Sequence, residues 1–541
     1  MCEARVQKRS LDYQKSIEIE VIKRKQNEFA IKLRKDKRRD KIIKRRYNES
    51  NILEDEAMGS EILYLGTPSN MILQSFPQLE SCTNEVEKLR IYSSILSSKS
   101  LYDDIILEVL ETLRISLSLE EKNPRNYFLS CGIIPNIAKY VNMSYSNDII
   151  SQAVWCLCNI AAGSDEYVQC IYELIGVDIL IELIKIGDSN DIISQAVWCL
   201  CNIAAGSDEY VQCIYELIGV DILIELIKIG DKLIVENATW TIANMIGENA
   251  DITAELISKG YIELLSQVLT NDPKSARGIA FSLTNICKQD KLLSLVHARI
   301  ILNLYAKLVH LDLYHSLCGI LNLIRNDNNK IDIVLDTPEV MSAIFSNILG
   351  TEPICELCIN IIGSISSGTS KQTDYLLEKN ILEILKELLS ISSEKSLVYI
   401  YWTLSNIAAG TYNQVNLLAC HDIVKYALNG LTHSHERIRK EASYFYKNYL
   451  LKVSVEYRVE LANTKIFFIL AECMKFSNTE NLENYLNICY KLLEISNLTD
   501  VDTCKDFEES GCRKNVEDLF YHMNEKLAKD AKAIINKFFN E

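Results

Sequence analysis

Four Trp-x-x-x-Asn pairs carry the most suggestive side-chain chemistry in the sequence: Trp155/Asn159, Trp198/Asn202, Trp240/Asn244 and Trp402/Asn406. Phe281/Asn285 and Tyr444/Asn448 are aromatic variants of the same pair. An asparagine amide has one acceptor and two donors, so it can hold both the C=O and the N–H of an extended peptide without reading its sequence. A slot between two indole faces accepts the aliphatic stem of Lys or Arg, with a cation–π attraction of about 0.5–2 kcal/mol. Asp148, Asp165, Glu166, Asp191, Asp208, Glu209 and Glu248 stand near these pairs in the chain and supply carboxylates for the charged heads. The ligand these groups imply is an extended peptide rich in Lys and Arg. A single such pair is ordinarily a packing aromatic beside a solvated amide. Recurrence at one phase is what makes a ladder.

The elements that must position the pairs follow from an internal repeat. Residues 146–188 recur letter for letter as 189–231, a tandem duplication of 43 residues. With Trp155 as marker, the matched positions are Trp198, Trp240, Phe281, Gly319, Asn360, Trp402 and Tyr444, a period of about 42. Each unit holds apolar runs spaced i, i+3, i+4 and i+7 with glycine between them, as at Gly163 and Gly176, and this spacing predicts helices. On a helical wheel Asp148, Gln152 and Asn159 fall within about 60° of Trp155, while Ile150, Ala153, Val154, Leu157, Ile160 and Ala161 take the far side. A unit of this size cannot bury its own apolar face and must stack on its neighbours. The reading is all-α, a solenoid of the armadillo or HEAT kind, with the aromatic and the amide on the face away from the core.

Composition sets the outer bounds. The 541 residues carry 57 Lys and Arg against 73 Asp and Glu, a net charge of −16, with 48% hydrophobic residues. Residues 1–50 hold 17 basic against 8 acidic side chains, whereas the rest holds 40 against 65. One end therefore attracts the remainder, and a uniformly basic nucleic-acid binder is excluded. No run of eighteen uncharged apolar residues occurs, so a membrane-spanning segment is not expected. The eighteen cysteines are sparse and sit in apolar runs, which fits reduced thiols. The pairs Cys156/Cys158 and Cys199/Cys201 lie two apart on helices and do not face a common metal, so no metal or cofactor is expected. Neither GxxxxGK[ST] nor GxGxxG is present, and His433-Ser434-His435 is an isolated pair without a nucleophile beside it. An enzyme is not the expectation.

Several stretches together resemble importin-α (karyopherin-α), the family of adaptors that carry proteins with nuclear localisation signals. Ser151-Gln-Ala-Val-Trp-Cys-Leu-Cys-Asn159-Ile-Ala-Ala-Gly163 and Tyr401-Trp-Thr-Leu-Ser-Asn406-Ile-Ala-Ala-Gly410 are similar to that family's third-helix motif, and Asn244-Met-Ile-Gly-Glu248 is similar to its Asn-Ile-Ala-Gly-Asp. The resemblance implies a right-handed solenoid of about ten to eleven armadillo repeats over 71–500, with a last repeat and export-receptor contact region over 501–541. It also implies a basic importin-β-binding arm over 1–50 and an acidic linker over 51–70. It places the major cargo groove at Gln152, Trp155, Asn159, Gln195, Trp198, Asn202, Asn237, Trp240, Asn244, Glu248, Phe281 and Asn285, with Glu248 holding the key lysine. The minor groove falls at Thr373, Trp402, Asn406, Glu441, Tyr444 and Asn448. In the arm, Lys23, Arg24, Lys25, Arg34, Lys35, Lys37, Arg38, Arg39, Lys44, Arg45 and Arg46 would bind importin-β, and Lys44-Arg45-Arg46 would lie in the chain's own groove when free.

Partners implied are importin-β, cargo bearing basic signals, an export receptor with Ran-GTP and nuclear pore proteins. Membranes are excluded from the set, no direct nucleic-acid role is expected, and the implied location is shuttling between cytoplasm and nucleus. Three departures from the family pattern stand out: Phe281 and Tyr444 replace tryptophans, and Ser364 replaces an asparagine. The alternative class is an armadillo scaffold for signalling or adhesion proteins, which would lack the arm and would not need regular Trp/Asn pairs.

Overall fold

A computed structural model describes residues 65, 68–98, 102–118, 125–163, 165–187, 189–247, 249–325, 327–475 and 477–539. The arm expected over 1–50, the linker up to residue 64 and the key acid Glu248 lie outside the described residues. Among the described residues all regular structure is helical, α or 3₁₀, without a strand. The chain forms an all-α solenoid of stacked helices in two compact units that divide between Leu292 and Leu293.

Within the first unit, α1 (Asp103–Ser118), α2 (Asn147–Ala161), α3 (Asn190–Ile203), α4 (Lys232–Ile246) and α5 (Ala276–Lys288) each pack on the next. The second unit repeats the pattern with α6 (Leu313–Ile324), α7 (Ile354–Ser366), α8 (Glu394–Ala409), α9 (Glu436–Lys452), α10 (Thr479–Leu493) and α11 (Glu525–Phe538). Shorter helices lie between these long ones, such as Asp208–Ile218 and Asp221–Ile229. The turn between those two needs Gly219 at φ 58°, and the matching break in the upstream copy falls at Gly176, φ 71°. Only glycine takes such a backbone without strain, which explains why the glycine recurs between the paired apolar runs.

Short polar side chains start the helices. Asp231 Oδ1 accepts from the amides of Leu233 and Ile234 at 3.0 Å, and Asn249 Oδ1 does the same for Asp251 and Ile252. In α2, Ile149, Ile150, Ala153, Val154 and Leu157 are fully buried, each large aliphatic contributing about 1.5–3 kcal/mol by leaving water.

Between neighbouring long helices runs a second bonding system, made by amides. Asn202 Nδ2 donates to the Cys158 carbonyl at 3.1 Å, Asn244 Nδ2 to Cys201 O at 2.9 Å and Asn285 Nδ2 to Ala243 O at 2.7 Å. In the second unit Asn406 reaches Gly363 O at 3.4 Å and Asn448 reaches Ser405 O at 3.2 Å. Every donor lies 42 to 44 residues beyond its acceptor, one repeat along. The outer helices carry a matching device. Gln372 closes a capping box with Thr369 and also donates to Asn328 O at 2.8 Å, and Gln414 does likewise with Thr411 and Ser370 O.

Losing one such amide uncovers a buried polar group, at a cost of about 1–3 kcal/mol. Asn285→Ala should therefore lower the urea midpoint followed by far-UV circular dichroism, and an unchanged midpoint would show that the amide bond between α4 and α5 contributes nothing.

Candidate peptide groove

The long helices place the Trp/Asn pairs at one phase, though not on an open face. Trp198, Trp240, Phe281 and Trp402 are 7%, 5%, 4% and 1% exposed, and Asn159, Asn202, Asn244, Asn285 and Asn406 are all buried. This corrects the expectation that the aromatic and the amide face away from the core. Inside each unit a long helix such as α2, α3, α4, α7, α8 or α9 is flanked by one before it and one after it, so the side that a lone helical wheel leaves free is the seam between repeats.

Inside that seam the indoles lie against glycines. A Cβ added at Gly278 would stand 2.9 Å from Trp240 Nε1, and one added at Gly363 would stand 2.6 Å from the Trp402 ring. Trp240 also stacks on Phe281 at 5.3 Å between centroids and 27° between planes. Those two rings fill the slot between them.

Trp155 differs from its identical counterpart Trp198. It is half-buried, and the guanidinium of Arg114 in α1 sits 4.3 Å above its ring centroid. A basic side chain of the protein itself therefore occupies the kind of indole face that the sequence assigns to a ligand. Sequence reasoning missed Arg114. The signal was its place about one period before Trp155, in the aromatic phase of a repeat that has no aromatic there.

The remaining polar groups split into bound and unbound. Gln195 Oε1 accepts from Ser151 Oγ at 3.2 Å, and Asn237 Nδ2 donates to Ser194 O at 2.9 Å. Asn159 Nδ2 donates to Ser118 Oγ at 3.3 Å. Gln152 Oε1 and Asn244 Oδ1 are covered acceptors without a partner, a state that costs free energy until a donor arrives. A backbone N–H of an incoming chain would supply that donor once the covering side chains turn aside.

The residues assigned to the minor groove lie in the second unit and are described there. Thr373 and Glu441 are buried, the former bonded to Ser366 O and Thr369 O at 3.3 Å. Tyr444 is half-buried, its hydroxyl donating to Glu480, with Lys447 Nζ 5.3 Å from the ring centroid. Ser364 bonds Asn360 O of its own helix at 2.9 Å, where an asparagine would reach the preceding repeat.

Of the acids expected to serve the groove, Asp148, Asp191, Asp208 and Glu209 are exposed. Titration points away from catalysis: burial pushes the Cys156 thiol up to about 12, with Arg114 pulling the other way, so it is no nucleophile. Among the described residues no group of three or more His, Cys, Asp and Glu could hold a metal, and no helix is long and apolar enough to cross a membrane.

Comparisons with known proteins agree with this geometry. The Armadillo/beta-catenin-like repeat family matches residues 164–205 and 207–247, two repeats that each end on a Trp/Asn helix, α3 and α4. Importin subunit alpha-B of Dictyostelium discoideum is 25% identical over 33% of the chain and 30% of its own length. Importin subunit alpha-3 of Arabidopsis thaliana is 25% identical over 62% of the chain and 60% of its own length. The chain thus spans about a third to three fifths of these relatives. A solved structure from work on a phosphorylation switch between cadherin and beta-catenin covers 84% of the chain and 96% of its own, with a TM-score of 0.61 and 12% identity, a likeness of fold alone. None of these likenesses is to an enzyme. The repeat family, the curated relatives and the Trp/Asn ladder converge on an all-α chain that carries armadillo repeats and is similar to importin subunits alpha.

Proposed function

We propose that the chain is a nuclear import adaptor. It binds Lys/Arg-rich nuclear localisation signals along the Trp/Asn helices α2 to α5 and couples the cargo to importin-β through the basic arm at 1–50. When free, the arm lays Lys44-Arg45-Arg46 on the same helices and competes with cargo. The protein shuttles between cytoplasm and nucleus, where an export receptor with Ran-GTP and nuclear pore proteins meet it. The observation that carries this reading is the register of the pairs: Trp155/Asn159, Trp198/Asn202 and Trp240/Asn244 stand at one phase on three helices packed in succession. Basic peptide recognition needs a row of that kind, with amides for the backbone and indoles for the side-chain stems. The minor groove, at Thr373, Trp402, Asn406, Glu441, Tyr444 and Asn448, offers the same elements with tyrosine in one place.

Three measurements test the reading, each by fluorescence anisotropy with a monopartite basic peptide. Glu248→Ala should weaken binding by about tenfold to a hundredfold, the worth of a charge-assisted hydrogen bond. Unchanged affinity both in Glu248→Arg and in the Trp198→Ala, Trp240→Ala double variant would reject the groove.

Arg114 occupies the Trp155 face and adds a positive charge where a positive ligand is expected. Arg114→Gln should therefore tighten the same peptide by about threefold, within the range of one exposed cation–π contact. Weaker binding would show that Arg114 supports the groove instead of competing for it.

Deleting residues 1–50 should raise peptide affinity, because a tethered segment competes at an effective concentration on the order of millimolar. Added importin-β should have the same effect on the full chain. Equal affinity for full-length and truncated protein would reject autoinhibition.

A further inference from the structure

The second unit contains a cavity of about 260 Å³ that lies apart from α2 to α5 and takes one lining residue, Tyr449, from α9. It opens where the ends of helices Tyr412–Ala419 and Ile423–Tyr426 meet helix Val455–Ala462, with α9 behind. Cys420 stands at its mouth and is the exposed thiol among the described cysteines. Its sulfur lies 3.1 Å from the Tyr457 hydroxyl, a hydrogen bond in which either group can donate. At the base lies Tyr449, only 2% exposed, whose hydroxyl has no hydrogen bond among the described residues and which lines the cavity. Burial, then the nearby Glu460, Tyr457 and Cys420, raise the Tyr449 phenol far above its ordinary range, so it stays a donor. On the rim Lys425 Nζ and Glu460 Oε2 face each other at 3.7 Å, both more than half exposed. His421 is committed elsewhere: Nδ1 accepts from the Ile423 amide at 3.1 Å and Nε2 meets Glu383 at 3.0 Å.

An unpaired phenol at the bottom of a cleft is a hydrogen-bonding group waiting for a ligand. The space is below the roughly 300–1,000 Å³ of drug-sized sites, so the occupant is small. A loose pair of opposite charges at the rim suits a molecule that carries both an anion and a cation. The thiol at the mouth supplies a covalent anchor.

We propose that this cavity is a modification site where Cys420 forms a mixed disulfide with a small zwitterionic thiol. Lys425 takes the carboxylate, Glu460 the ammonium, and the Tyr449 hydroxyl bonds the ligand at the base. The co-reactant is the symmetric disulfide of that thiol. The Cys420 thiolate attacks one of its sulfurs, a new S–S bond forms as the old one breaks, and the departing thiolate takes up the proton that Cys420 lost. One small thiol is released for each site modified, without any other oxidant.

The test uses the full chain and two reagents, oxidised glutathione as the charged probe and methyl methanethiosulfonate as a neutral one. Occupancy of each cysteine is followed over time by peptide mass spectrometry. With oxidised glutathione, Cys420 should be modified ahead of Cys82 and Cys131. Tyr449→Phe and Lys425→Gln should each slow that reaction by about fivefold, the effect of one hydrogen bond, and leave the neutral reagent's rate unchanged. The unchanged neutral rate also serves as the check that the variants are folded around Cys420. Slowing with both reagents, or with neither, overturns the proposal, because the thiol would then be merely exposed. Equal rates at Cys420, Cys82 and Cys131 overturn it as well.

Discussion

The hydrogen bond from an asparagine amide to a carbonyl one repeat earlier is the constraint on which the rest of the array depends. Apolar packing alone would let stacked helices slide along or rotate about each other, since dispersion contacts are non-directional. An amide aimed at one particular carbonyl does not permit that. Asn202, Asn244 and Asn285 each fix one helix against its predecessor at a single register. The aromatic four residues earlier then falls at the same phase in each of these three repeats. Gln372 and Gln414 pin two outer helices of the second unit in the same way. Glycine at 368 and 410 makes that outer bond possible, because a Cβ there would run into the glutamine.

The duplicated unit shows how far neighbours decide what a sequence does. Residues 146–188 and 189–231 are identical, yet α3 lies between α2 and α4 with Gln195 and Trp198 buried, while α2 has Gln152 and Trp155 half-buried. Ser146 caps its helix through Oγ, and Ser189 makes no such bond. The contact between Tyr172 and Tyr210, one from each copy, joins the two units at 4.5 Å between ring centroids. Burial in such an array is a property of position along the stack as much as of residue type, as nearest-neighbour coupling requires.

That explains what could be read from the chain and what could not. The 42-residue period, the helical spacing and the recurrence of Trp and Asn are one-dimensional patterns, and the stacked helices carry all three. The destination of the amides was not legible. A helical wheel places Asn159 beside Trp155 opposite the apolar stripe, but it holds no information on a second helix arriving from the other side. Gly278 and Gly363 look like helix defects until the indoles of Trp240 and Trp402 are seen against them. The capping boxes at Thr369 and Thr411 have the local form Thr-x-x-Gln, whereas their reach to the preceding repeat depends on how the repeats stack. Glu248 and the basic arm lie outside the described residues, so their roles rest on sequence and on likeness to relatives.

The proposed function would have one amide both hold the stack and hold a ligand. Each asparagine side chain has two N–H donors and an oxygen. The bond to the preceding repeat occupies one donor, and for Asn244 the oxygen remains unpaired. In the proposed function a peptide would be bound without breaking the bond that sets the register, and recognition would draw on groups whose orientation the fold has already fixed. Less ordering entropy remains to be lost when the peptide arrives, which is how preorganised sites gain affinity. Truncating such an asparagine removes both functions at once, so loss of binding in an alanine variant cannot by itself be assigned to a lost peptide contact. Trp155 offers a cleaner handle, because its ring face already holds a cation, the Arg114 guanidinium, in the arrangement proposed for the ligand.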